Sequence, residues 1–345
     1  MQRISGEAMA EADVSTPDAA AFTRAATVFD CLGLFYVLDE PYATRCLEAG
    51  VKICNVTFAL ESTWDQTMSA VDEGFGKIEA SPVLALARNR AEIEAALEAG
   101  RLAVVPGTQG SSMIDKELAR VGVLARLGFR FFGLAYTGAT LFADGCGEKR
   151  DAGLSFLGEE LIAAVNETPM ILDLSHAGHR SRAEAVPLAR APVCTHSNAW
   201  HHVPNERNTR DETVRAICAR GGMMGACCLP LSVSPADQTL DHLVDHIDHF
   251  KALVGTEHIG IGLDFTEAYQ ESKTVLPESV RWRTLRPDIF GPVEAFVTQR
   301  YPAGLSGIAE LPNLTRRLLE RGYGEDEVAG ILGANWLRTF TRFVG

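Results

Sequence analysis

Two histidines stand where a metal ion could be held. His176 ends the stretch Pro169–His176 (PMILDLSH), and His196 lies in Val193–Asn198 (VCTHSN). Each follows a short apolar run of β-forming residues, so each is read at the end of a strand. Imidazoles at the ends of neighbouring strands can share one divalent ion, because adjacent strands are about 4.8 Å apart. Asp264, in Gly260–Phe265 (GIGLDF), could move a proton beside such an ion as general base or acid. A metal-free reading stays open, in which both rings only hydrogen-bond within the pocket. Arg207 has the planar fork that grips a carboxylate, although with Glu206 and Asp211 nearby it also reads as a surface arginine. Tyr136 could donate a hydrogen bond to a substrate or an oxyanion, or serve as a buried structural tyrosine.

Other chemistry-bearing residues read more plainly. His242, His246 and His249 in the run Asp241–His249 share a helix face, but the alternation of charge with Leu, Val and Ile suits a solvated amphipathic helix. His201 and His202 read as a loop at the pocket rim. Cys31 sits between Asp30 and Leu32 without a positive neighbour, and strand parity turns it away from the face of Asp30, Leu32 and Leu34. Gly107–Ser111 is small and polar but lacks the lysine of a phosphate loop.

The elements that must position these groups alternate along the chain. Eight β-rich runs are expected at Thr27–Asp30, Val51–Phe58, Leu102–Gly107, Phe129–Tyr136, Met170–His176, Val193–His196, Gly222–Leu229 and His258–Phe265. Helical spacing separates them, for example at Ile93–Ala99, Lys116–Leu127, Phe156–Val165, Asp211–Arg220 and Leu240–Leu253. This pattern predicts an α/β fold, a (β/α)8 TIM barrel, rather than an open doubly wound sheet. Tail helices are expected at Asn313–Arg321 and Glu325–Leu337, with Gly333 inside the second. No linker cuts the chain, so the expected organisation is a polar N-terminal segment, residues 1–26, and one barrel domain, residues 27–345. In such barrels the carboxyl ends of the strands carry the chemistry. The strand-three end, Pro106–Ser111, therefore adds Gln109 to the candidates.

Composition narrows the partners. With 46% hydrophobic and 22% charged residues the 345-residue chain can build a sizeable core, and it has no run of 18 apolar residues to span a membrane. A net charge of −13 opposes binding to nucleic acid or anionic lipid. Eight cysteines without CxxC spacing, and an N-terminus lacking an apolar secretory stretch, point to reduced thiols in a cytoplasmic protein.

The segments PMILDLSH, VCTHSN, Arg207-Asn208 followed by Asp211-Glu212, and GIGLDF, in that order and spacing, resemble the renal, or membrane, dipeptidase family of zinc metallopeptidases among the amidohydrolase-like barrels. The resemblance runs from about Val28 to Phe340. It implies that His176 and His196 are zinc ligands, that Asp264 assists the attacking water and the leaving amine, and that Arg207 grips the substrate carboxylate. The family's other positions are altered. Leu32 and Leu34 stand where it has an HxD pair, Gln109 stands for a bridging Glu, and Tyr136 for a substrate-side His. A leucine offers no lone pair, so the resemblance implies at most one zinc, on His176, His196 and Gln109. The expectation is a dipeptidase-like hydrolase acting on the amide of a small, carboxylate-bearing substrate, as a homodimer by the same resemblance. The alternatives are a metal-independent enzyme and a catalytically silent barrel that binds a small ligand in the same pocket.

Overall fold

The computed structural model describes residues 18–298 and 301–345. Residues 1–17 of the polar N-terminal segment lie outside the described residues. The remainder forms a helix, Ala19–Ala25, started by the Asp18 carboxylate accepting from the Ala20 and Ala21 amides.

Eight parallel strands form the barrel: β1 (Val28–Gly33), β2 (Val51–Ala59), β3 (Leu102–Thr108), β4 (Phe131–Gly133), β5 (Ile171–Asp173), β6 (Pro192–Val193), β7 (Met224–Ala226) and β8 (Ile259–Ile261). They pair in sequence order from β1 to β6, and β8 pairs with both β1 and β7. Cys194, just past β6, closes the ring by bonding its amide to Met223 O at 2.9 Å and accepting from Gly225 at 2.8 Å. The TIM barrel expected from the sequence is thus the fold. A short strand, Leu84–Leu86, pairs with β3 beside the ring. At three residues it is too short to show an alternation in sequence.

The strands are buried on both faces, which explains their near-continuous apolar sequences. Val28, Leu102, Val104, Phe132, Leu172 and Ile259 belong to the larger core cluster, together with the apolar stripes of the helices. Phe29, Cys31, Ile53, Val105, Phe131 and Val193 form a second cluster with Trp336 and Phe340 of the final helix, Asn335–Val344. Truncating either of those two aromatic anchors to alanine would cost about 3–5 kcal/mol. Trp336 donates its indole N–H to Ile261 O at 3.0 Å, and Asn335 caps Thr256 O and Ile259 O at 2.8 and 2.9 Å. These contacts close the amino end of the barrel and leave the carboxyl end as the mouth. The uninterrupted helix expected at Glu325–Leu337 is instead Glu325–Ala329, a wide turn over Gly330–Ala334, and then the final helix. The break falls at Gly333, whose backbone is non-helical and packs so close to β1 that a Cβ there would lie 2.1 Å from Thr27 O.

Several strands end earlier than the sequence suggests. Met170–His176, Val193–His196, Gly222–Leu229 and His258–Phe265 shorten to two or three paired residues. After β5 the reason is chemical: the Asp173 carboxylate captures the Ser175 amide and hydroxyl at 3.0 and 2.6 Å, turning the chain out of the ladder. Between β8 and the tail lies a stretch the periodicity missed, with short helices at Glu267–Ser272, Pro277–Leu285, Pro287–Phe290 and Ala295–Thr298. It contributes one side of the pocket at the mouth. Among the described residues, no helix is long and apolar enough to cross a membrane.

Candidate active site at the barrel mouth

A cavity of about 630 Å³, open to solvent, occupies the carboxyl end of the barrel. Gln109, Tyr136, His176, Arg207 and Asp264 all line it. His196 lies behind this surface, fully buried, with its ring centroid 5.0 Å from that of His176. The six residues singled out from the sequence are therefore brought together, five at the cavity wall and one in its support.

The β5–β6 wall is polar and tightly wired. Asp173 accepts the Thr195 amide at 3.0 Å and the Thr195 hydroxyl at 2.6 Å. Thr195 Oγ1 lies 2.7 Å from His196 Nδ1. Because the threonine proton goes to Asp173, Nδ1 must carry the hydrogen, which leaves the lone pair on Nε2. That Nε2 and the Nε2 of His176 are buried without a hydrogen-bond partner. Burial first, then the positive charge of Arg207, holds both rings well below the ordinary histidine range, so both are neutral at pH 7. His176 Nδ1 lies 3.3 Å from the Thr137 hydroxyl, and Tyr136 stacks on its ring at 4.2 Å.

Arg207 is 1% exposed, so the surface reading is excluded. One guanidinium nitrogen donates to Ser175 O, the other reaches His196 O at 3.4 Å, and Nε has no partner. A second buried arginine, Arg182, fixes the same loop by donating to Leu174 O, Ser175 O and Asn208 O at 3.1, 2.8 and 2.8 Å. Asp264 has φ +55, a left-handed conformation that aspartate tolerates better than most residues. Burial raises its carboxyl to about 6 against the pull of Arg207 and Arg283.

The β1–β2 wall is apolar. Leu34 and Leu60 line the cavity, and Leu32 is buried. Asp30 lies in the strand beneath, one oxygen accepting the Leu32 and Leu263 amides at 3.1 and 2.9 Å, and burial pushes its carboxyl up to about 7. Strict strand parity fails here, because the β1–β2 register shifts between Asp30 and Gly33. Cys31 joins the inner apolar cluster, and burial raises its thiol well above the ordinary range, the opposite of what a nucleophile needs.

The residues present fit one ion better than two. Two neutral imidazoles with unpartnered Nε2 atoms are a suitable donor pair, whereas Leu32 and Leu34 offer nothing to a second ion. The Gln109 amide donates to Thr57 Oγ1 at 2.9 Å, leaving its oxygen as the one further neutral donor.

The sequence reading missed the other side of the cavity. Trp282, Arg283, Phe290 and Phe296 line it from the stretch after β8. Arg283 is anchored by the carbonyls of Phe290 and Pro292. Its signal, an Arg-Trp-Arg run between Pro277 and Pro287, has no periodicity to separate it from a surface helix. Two further readings are corrected. His246 is buried rather than solvated, accepting from the Ala199 amide at 3.1 Å and donating to Val233 O at 3.0 Å. His201 and His202 do not line the cavity; they pack against His249.

A closed parallel barrel with polar groups gathered at its carboxyl end is a TIM barrel with its candidate site where such barrels carry their chemistry. A solved amidohydrolase from Pseudomonas aeruginosa is similar at 25% identity and a TM-score of 0.82, covering 95% of this chain and 99% of that one. A metallo peptidase from Rhodobacter sphaeroides, at 20% identity, shares the fold with a TM-score of 0.74 over 92% of this chain and 99% of its own. The family model of membrane dipeptidase, peptidase family M19, matches residues 43–281, and the chain belongs to that family. Dipeptidase 3 of Rattus norvegicus is 29% identical over 255 residues, 70% of this chain and 45% of that protein. An uncharacterised dipeptidase of Schizosaccharomyces pombe is 28% identical over 252 residues, 70% of this chain and 53% of that one. The chain thus spans about half the length of these curated relatives.

Proposed function

We propose that the chain is a dipeptidase-like hydrolase that cleaves the amide of a small, carboxylate-bearing substrate at the barrel mouth. The observation that carries this reading is the convergence of Arg207, Asp264, Tyr136 and His176 on one cavity in a member of a dipeptidase family. Arg207 holds the substrate carboxylate with its guanidinium. Asp264, close to half ionised near pH 6, takes a proton from the attacking water and returns it to the leaving amine. The Tyr136 hydroxyl donates toward the oxygen that gains charge at the scissile carbon. Leu34 and Leu60 keep bulk water from the opposite side of the bond. His176 and His196, with Gln109, would hold a single zinc ion. Bound there, it would supply Lewis-acid polarisation of the scissile carbonyl.

One feature favours the metal-independent variant, or a silent ligand-binding barrel: the buried guanidinium of Arg207 beside the two imidazoles opposes a cation electrostatically. The separating experiment is turnover on a dipeptide panel with and without zinc, alongside the same peptides amidated at the C-terminus. The proposal expects cleavage of the free acids and little of the amides. No turnover with or without zinc overturns it in favour of the binder.

A further inference from the structure

A second group of metal-ligating side chains lies away from the mouth. Ligand atoms of His201, Asp211 and His249 all lie within 4.8 Å of one another, the one such trio of His, Cys, Asp or Glu among the described residues. They come from three separate pieces of chain: the loop after β6, the first turn of the helix Asp211–Ala219, and the helix Leu240–Val254. His249 Nε2 is 2.9 Å from Asp211 Oδ1, and the rings of His201 and His249 stack at 4.4 Å. His202 stands edge-on to His249 at 5.3 Å. His246 is excluded as a ligand, because both of its nitrogens are already bonded.

We propose that His201, Asp211 and His249 form a peripheral site for a divalent ion of the zinc type. Two imidazoles and a carboxylate, with water in the fourth position, are a donor set that zinc accepts, and imidazole favours zinc over magnesium or calcium. A hydrogen bond accounts for Asp211 and His249 but not for the third ligand-bearing ring, His201, stacked on His249 with its nitrogen near both. Binding replaces the hydrogen bond between Asp211 and His249 with the ion, the imidazole offering its Nε2 lone pair and carrying its N–H on Nδ1. His201 is exposed, so it can turn its ring toward the ion without displacing a buried neighbour. The ion ties the 199–210 loop, which carries Arg207, to the helix Leu240–Val254. The site does not depend on any reading of the mouth.

The test is zinc titration by calorimetry of the full chain carrying His176→Ala and His196→Ala, so that the mouth contributes no imidazole. The proposal expects one equivalent bound at micromolar affinity or tighter, weakened at least about tenfold by adding His249→Gln, which retains a hydrogen bond to Asp211. Cobalt provides a second readout through the visible absorption of a tetrahedral site, lost in the same variant. Should the mouth double variant not fold, the comparison is made in the native chain, where His201→Ala with His249→Gln must remove one equivalent. Binding that is absent in the mouth variant, or unchanged by the His249 substitution, overturns the proposal.

Discussion

The two walls of the mouth are built on opposite principles. On the β5–β6 wall, Asp173, Ser175 and Thr195 are tied together by hydrogen bonds, while the two imidazole Nε2 atoms and Arg207 Nε are buried without partners. On the β1–β2 wall, leucines face the cavity and the one carboxyl, Asp30, is turned into backbone amides. Unpartnered nitrogens are thus concentrated on one side, while the other, apart from the buried Asn55 Oδ1, offers shape and dryness. The lesson is that an apolar wall can stand opposite a polar one without loosening that wall's support.

This contrast can be broken most severely at Asp264. Asp264→Asn keeps a residue that tolerates φ +55 but removes the base, and kcat on a cleaved dipeptide should fall about 10²- to 10⁴-fold with the circular dichroism spectrum unchanged. In the proposed mechanism the ionised form acts as the base, so in the native chain kcat/KM should decline as pH drops through about 6. A pH profile flat from 5 to 8 would remove Asp264 from that role. Arg207→Lys keeps a charge but loses the planar fork; KM for the free-acid dipeptide should rise by about 10- to 100-fold with a smaller change in kcat.

Leucine-to-ligand substitution sharpens the comparison from the other side. Leu32→His with Leu34→Asp should raise the zinc content by one equivalent per chain and make the melting temperature more zinc-dependent than that of the native chain. An unchanged metal content would mean that side-chain chemistry alone does not separate the walls. The smallest effect is expected at Asp30. Its folded pKa of about 7 exceeds the unfolded value, so the folded state holds the extra proton. That contribution is complete below about pH 4 and is lost as pH rises toward 7. Asp30→Asn retains an oxygen for both amides; it should match the native chain in urea melts at pH 4 and exceed its stability by about 1–3 kcal/mol at pH 8.

Much of the barrel was legible because a strand buried on both faces must be continuously apolar, and the polar residue that breaks such a run must stand at its end. His176, His196 and Asp264 were found on that logic alone. Arg207 was ambiguous, since nothing local to its sequence distinguishes an arginine caught under a loop from one in water; only the carbonyls of Ser175 and His196, brought from other strands, decide it. The stretch after β8 was illegible for a different reason. Its helices are short, two of the four begin at a proline, and Trp282, Phe290 and Phe296 face a cavity rather than a packed core. His246 was misread because alternation of charge along a helix does not reveal which turn another loop will cover.

That stretch has an evolutionary corollary. Trp282, Arg283, Phe290 and Phe296 reach the cavity from one contiguous piece of chain that supplies no barrel strand. Exchanging it wholesale would alter which molecules are admitted while leaving Asp264 and the two histidines in place, and keeping Arg283 in the replacement would preserve its pull on the Asp264 carboxyl, so one arginine couples selectivity to reactivity.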